Sequence, residues 1–163
     1  MSLLSLCQQI ENSAVGTAIR ESIWLFPIIE TTHVLALALS VGTLMIFDLR
    51  LMGVAMPDIG VRRLHLQLRP WFLAGFALMF ATGALLFWSE ATRCYQSTAF
   101  WIKMGLIVLA GANAVLFERF TAPTAYREAG DPLPRLAVIA GWASLVLWAA
   151  VIGTGRWMAY NLT

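Results

Sequence analysis

The sequence predicts an all-α membrane protein, a bundle of four transmembrane helices preceded by an N-terminal amphipathic helix lying in the membrane interface. Two observations carry the prediction. Of 163 residues, 60% are hydrophobic and only 12% are charged, and the mean hydropathy is +0.74; the charge is about half that of an ordinary soluble domain. The charges also cluster, leaving four stretches long enough to cross a hydrocarbon core, which takes about 20 apolar residues per helix. Apolar residues occupy all faces of these stretches and do not alternate, so helices are favoured over barrel strands. Residues 1–163 read as one integral membrane domain with no room for a sizeable extramembranous catalytic domain. A net charge of +2 without a basic stripe argues against a nucleic-acid module.

At the N-terminus, Leu3, Leu6, Cys7, Ile10 and Ala14 recur at helical spacing opposite Gln8, Gln9 and Asn12, the pattern of an interfacial helix. The segment lacks a basic start, and Gln8, Gln9 and Glu11 interrupt its apolar run, so a cleavable signal peptide is not expected. The spans are expected at about 22–47, 70–89, 94–117 and 136–155. The first contains one carboxylate, Glu30, and the third one cation, Lys103; the second and fourth are uncharged. Pro57, Pro123, Pro132 and Pro134 punctuate the two longer connections. Trp24, Trp71, Trp88, Trp101 and Trp157 fall near expected span ends, as an aromatic belt requires.

Basic residues set the expected orientation. Arg50, Arg62, Arg63 and Arg69 lie between spans one and two, and Arg119, Arg127 and Arg135 between spans three and four. Only Arg20, Arg93 and Arg156 lie on the other side. Both termini are therefore expected in the periplasm of a bacterial inner membrane, with both arginine-rich connections cytoplasmic. Arg50, paired in sequence with Asp48, is expected to snorkel to the headgroups. Cys7 and Cys94 both fall on the outer side, where a bridge between them and two unpaired thiols are both open readings.

An ionisable residue inside a span is a functional hypothesis by default, because it costs a few kcal/mol at mid-membrane. Glu30 and His33 stand three apart, on one face of span one. At about 1.5 Å per residue, both lie in the same half of the membrane as Lys103. One reading is a Glu30–Lys103 pair that locks span one to span three, with His33 hydrogen-bonded to a carbonyl. The other is that His33 ligates haem iron or copper, with Glu30 and Lys103 orienting it, holding a propionate or moving protons. Ser40 continues the small-residue stripe from Ala36 to Thr43 beside Gly42, which permits close helix packing or the approach of a flat macrocycle. Met79 and Met104 are further candidate ligands. His65, among Arg62, Arg63 and Arg69, is expected to hydrate at the opposite interface, too deep below His33 to share one iron with it. Asn113 reads as interhelical glue. Ala110 and Ala114, four apart, are compatible with a homo-oligomer and equally with packing inside the bundle.

The stretch Glu30-Thr-Thr-His33-Val-Leu-Ala-Leu-Ala-Leu-Ser-Val-Gly42, continuing to Asp48-Leu-Arg50-Leu, resembles the first-span signature of an uncharacterised bacterial family of four-helix inner-membrane proteins. More distantly it resembles the membrane domain of copper resistance protein D and the HemJ-type protoporphyrinogen oxidases. Phe100-Trp101-Ile102-Lys103-Met104-Gly105-Leu106 is similar to their opening of span three. That resemblance implies a haem b site in which His33 and Lys103 are the residues carried over. The expected function is a haem b-binding electron-transfer or redox component facing the quinone pool or a redox partner protein. His33 would be its axial ligand, Glu30 and Lys103 its supporting groups, and Trp101 and Ser40 would line the pocket. A copper or proton translocation component and a structural subunit without cofactor are the alternatives.

Overall fold

The computed structural model describes residues 2–126 and 132–161, and Arg127, counted above for orientation, lies outside them. Among the described residues all regular structure is helical. Four long helices are α3 (Leu25–Leu51), α4 (Val61–Ser89), α6 (Thr98–Leu116) and α8 (Arg135–Asn161). Short helices α1 (Leu3–Glu11), α2 (Ala14–Glu21) and α5 (Ala91–Gln96) sit at one end. α6 runs on through a π turn at Phe117–Thr121 into α7 (Ala122–Ala125). By length and composition, four helices are apolar enough to cross a membrane. Val34, Leu35, Val108, Leu109, Ile139 and Val146 are all more than half exposed on their outer faces, which water would penalise and lipid would not.

The four helices run antiparallel in sequence. α3 packs most extensively on α4 and α6 on α8, and α3 also touches α8. The closest approach is between α3 and α4. A Cβ added to Gly75 would stand 2.8 Å from the Ser40 backbone nitrogen, and Ser40 is wholly buried with its hydroxyl donating to the Ala36 carbonyl at 2.8 Å. Asn113 reaches from α6 to donate to the Ala140 carbonyl of α8 at 3.1 Å, the interhelical bond its position suggests. Two apolar clusters result, one of Ala36, Met79, Ala110, Trp148 and Val151, the other around Phe47, Leu51, Val61 and Phe117.

Several expectations are corrected. α4 begins at Val61, not Pro70, because Val61, Leu64, His65 and Leu68 form an inward stripe while Arg62, Arg63 and Arg69 point outward. Pro70 lies inside this helix, and Trp71 is consequently ten residues from its start. The third long helix opens at Thr98, and Cys94 belongs to the separate α5. The expected single N-terminal helix is two, broken at Asn12–Ser13, with α1 packed on α5 and α2 on α4. Cys7 and Cys94 are both buried free thiols on these packed elements. Burial, reinforced by Glu90, pushes the Cys94 thiol up to about 11, so it is protonated at neutral pH.

Glu11 ties α1 to α5. Its Oε2 accepts the Thr92 backbone N–H at 2.8 Å, and its Oε1 lies 3.4 Å from the Arg20 guanidinium. Burial alone would raise its pKa, but the Thr92 bond and the charges of Arg20 and Arg93 outweigh this and hold it below its ordinary 4.5. A depressed carboxylate stabilises fully above its unfolded pKa and loses that contribution as pH falls through the lower folded value. Glu11→Gln is therefore expected to lower stability by about 1 kcal/mol at neutral pH. Thermal melts across an acid series check this, because the gap between variant and parent should close as the pH falls below the ordinary 4.5.

Arg50 does not snorkel. It is 3% exposed, with Nε donating to the Ile59 carbonyl at 2.7 Å and a terminal nitrogen donating to the Pro57 carbonyl at 3.4 Å. The guanidinium fork thereby folds the α3–α4 connection back onto the bundle, after Gly53, at φ 75°, has closed α3 in the left-handed conformation. Arg50→Ala is expected to cost about 2–4 kcal/mol, since two carbonyls lose a charged donor, and to open residues 52–60 to proteases. Arg50→Lys should recover less than half of this, because an ammonium lacks the fork. Detergent-resistant melting and limited proteolysis measure both effects.

Candidate functional site

His33 lies on α3 facing α4, half-buried. Its Nδ1 is 3.0 Å from the Thr82 hydroxyl. The Thr82 Oγ1 already donates its one proton to the backbone, at 2.7 Å from the Leu78 carbonyl, the usual habit of a threonine inside a helix. Towards His33 it can therefore only accept. That arrangement suits the tautomer protonated at Nδ1, in which Nε2 keeps its lone pair, the form in which imidazole binds a metal. An outer hydrogen bond that selects the tautomer and fixes the ring is what metal-ligating histidines commonly have.

Gly83, the residue after Thr82, leaves room for the ring, since a Cβ there would stand 3.2 Å from His33 Cε1. Lys103 on α6 has a similar seat. Its ammonium lies over Gly155 of α8, 3.7 Å from where a Cβ would be. Lys103 and Glu30 are both within electrostatic reach of His33. Gly83 thus leaves space for the candidate His33, while Gly155 lies in ordinary contact range of Lys103, and neither glycine is recognisable as special without its partner.

The other expected residues are placed differently. Glu30 is exposed, and among the described residues it forms no ion pair with Lys103 or any other cation. Trp101 is exposed two residues before Lys103, its indole donating to the Tyr95 carbonyl at 2.9 Å, and it does not join the His33 group. Ser40, about 10 Å along α3 from His33, is part of the α3–α4 crossing. Met79 is buried beside it, its sulfur 4.0 Å from the Ser40 hydroxyl; Met104 is half-buried.

At the other end of the bundle, where the sequence favours hydration of His65 but leaves a second site open, a second polar group is found. His65 is buried, not hydrated, and sits about 25 Å along α4 from Thr82. Its ring is edged by Phe47, Phe72 and Tyr126, with centroids 5.2, 6.0 and 5.3 Å away. Its Nε2 lies 3.4 Å from Glu118 Oε1, which also accepts from the Tyr126 hydroxyl at 3.1 Å. Burial and the Glu118 charge push the Tyr126 phenol above its ordinary pKa, so it remains the donor. Asp48, 3% exposed, is hydrogen-bonded by Ser144. The periodic stripe Val61, Leu64, His65, Leu68 is the sequence feature that could have marked His65 as inward-facing.

Among the described residues no three His, Cys, Asp or Glu side chains are placed to hold a metal ion together. Residues 23–161 match the model of a family of unknown function, DUF6644. The chain belongs to that family. The match takes in all four long helices, and with them His33, Lys103, Asp48 and His65, and begins after α1 and α2. No curated protein and no solved structure matches the chain.

Proposed function

We propose that this member of the DUF6644 family is a haem b-binding protein of the bacterial inner membrane. It acts as an electron-transfer or redox component facing the quinone pool, with both termini periplasmic. The observation that supports the reading is the His33–Thr82 bond, which suits a proton on Nδ1 and would leave Nε2 for a ligand role. A bare copper ion would need several protein donors, and the described residues offer no such set. Porphyrin iron brings four nitrogens and asks the protein only for axial ligation, so a lone oriented histidine suits it. Bound iron porphyrin would supply one-electron chemistry.

The remaining roles belong to the chain. Thr82 holds the imidazole plane, Gly83 leaves its edge uncrowded, and Lys103 would offer its positive charge to a propionate. The distant likeness of the His33 and Lys103 stretches to HemJ-type oxidases supports the same assignment. The test is a visible spectrum of the detergent-purified protein before and after dithionite, with a pyridine haemochrome assay. A Soret band with reducible α and β bands is the expected result. A flat spectrum at full protein loading, unchanged by added haemin, would overturn it.

A further inference from the structure

A cavity of ≈ 310 Å³ opens between α3, α4, α6 and α8 at the Arg50 end of the bundle. Phe72, Phe76, Phe80 and Trp148 form much of its wall, with Asp48, His65, Asn113 and Ser144 as polar points. Among the described residues no lysine or arginine lines it, while Asp48 and Glu118 do, so this lining disfavours an anion. His65 is nine-tenths buried in this wall, and among the described residues its buried Nδ1 has no hydrogen-bond partner. Such an atom is destabilising unless something supplies the bond.

The chemistry of the missing partner follows from the tautomer. The Nε2 side of the ring faces the Glu118 carboxylate, which draws the ring proton there and leaves Nδ1 as an acceptor. The partner must therefore donate. It must also be neutral, reach the site through lipid, and present a flat face to aromatic walls. A cavity of about 150 Å³ suffices for benzene, so this one has room for a substituted ring. We infer that the cavity binds the headgroup of a lipid-soluble quinol, one hydroxyl of which donates to His65 Nδ1. The site is separate from His33 and does not depend on haem binding there.

The inference is tested with protein in quinone-free phosphatidylcholine nanodiscs, titrated anaerobically with decylubiquinol and followed by tryptophan fluorescence. The control ligand is the same molecule with both hydroxyls methylated. Saturable quenching is expected with the quinol, and binding at least tenfold weaker with the ether. Gly111→Phe should abolish it, because Gly111 lines the cavity and a Cβ there meets no atom within 4 Å, so the new ring enters open space. His65→Phe keeps the ring contacts and deletes the acceptor; it should weaken binding at least tenfold without lowering the melting temperature. Absence of saturable binding, equal binding of the ether, or indifference to Gly111→Phe would each overturn the inference. Failure here with an intact Soret band leaves the haem reading standing, and quinol binding by a colourless protein leaves only that reading refuted.

Discussion

His33→Ala is expected to remove about nine-tenths or more of the Soret absorbance while leaving the helical fold and the melting temperature nearly unchanged. The two expectations rest on different atoms. Loss of Nε2 removes the axial ligand, for which the site has no substitute of the same orientation. Loss of Nδ1 removes one hydrogen bond, worth about 1 kcal/mol. It strands nothing, because Thr82 still donates to the Leu78 carbonyl. Thr82→Val probes the outer contact separately. The imidazole then keeps its place on α3 but loses the acceptor that selects its tautomer, and haem affinity should fall about 10–100-fold. An unchanged Soret band in His33→Ala would show that iron is held elsewhere.

Gly75→Ala is expected to destabilise the bundle by about 1–3 kcal/mol despite replacing the poorer helix former. In helix propensity alone the change should gain up to about 1 kcal/mol. The added methyl, however, would come within 2.8 to 3.0 Å of the Ser40 nitrogen, Cβ and Cα. Backbone cannot swing aside as a long side chain can, so α3 and α4 must separate along their most extensive contact. Gly42→Ala is the matched control. A Cβ there meets nothing within 4 Å, so its melting temperature should equal or exceed that of the parent. Equal melting of both alanine variants would mean that the α3–α4 crossing is looser than the structure places it.

Gly42 and Gly75 also show where sequence reading stops. Gly42 drew attention because it sits beside Ala36, Ser40 and Thr43 on a small-residue stripe, yet it packs against nothing. Gly75 carried no such mark and makes the closest approach. A glycine states only that the backbone can be approached, and the partner that approaches it is chosen by the crossing geometry of two helices. Arg50 illustrates the same limit from the side of charge. Composition places a basic residue at a span end, and lipid headgroups are the usual destination; the carbonyls of Pro57 and Ile59, freed by a local turn, competed for it successfully.

Hydropathy and charge spacing along the chain were enough for the four-helix membrane class, the number of apolar helices and the rarity of ionisable groups within them. The bilayer makes this possible: every spanning backbone group must bond within its own helix, so hydropathy along the chain is enough to locate spans. The sequence also singled out His33 and Lys103, because a titratable side chain in hydrocarbon is expensive wherever the helices go. Tertiary structure alone decided the rest. Thr82 lies 49 residues from His33 in the chain, and Gly155 far from Lys103, so neither the tautomer nor the lysine's seat existed until helices paired. Helical phase turned Trp101 and Glu30 outward and His65 inward. A cavity belongs to no single helix, and the aromatic site around His65 arises only where four helices fail to fill the space between them.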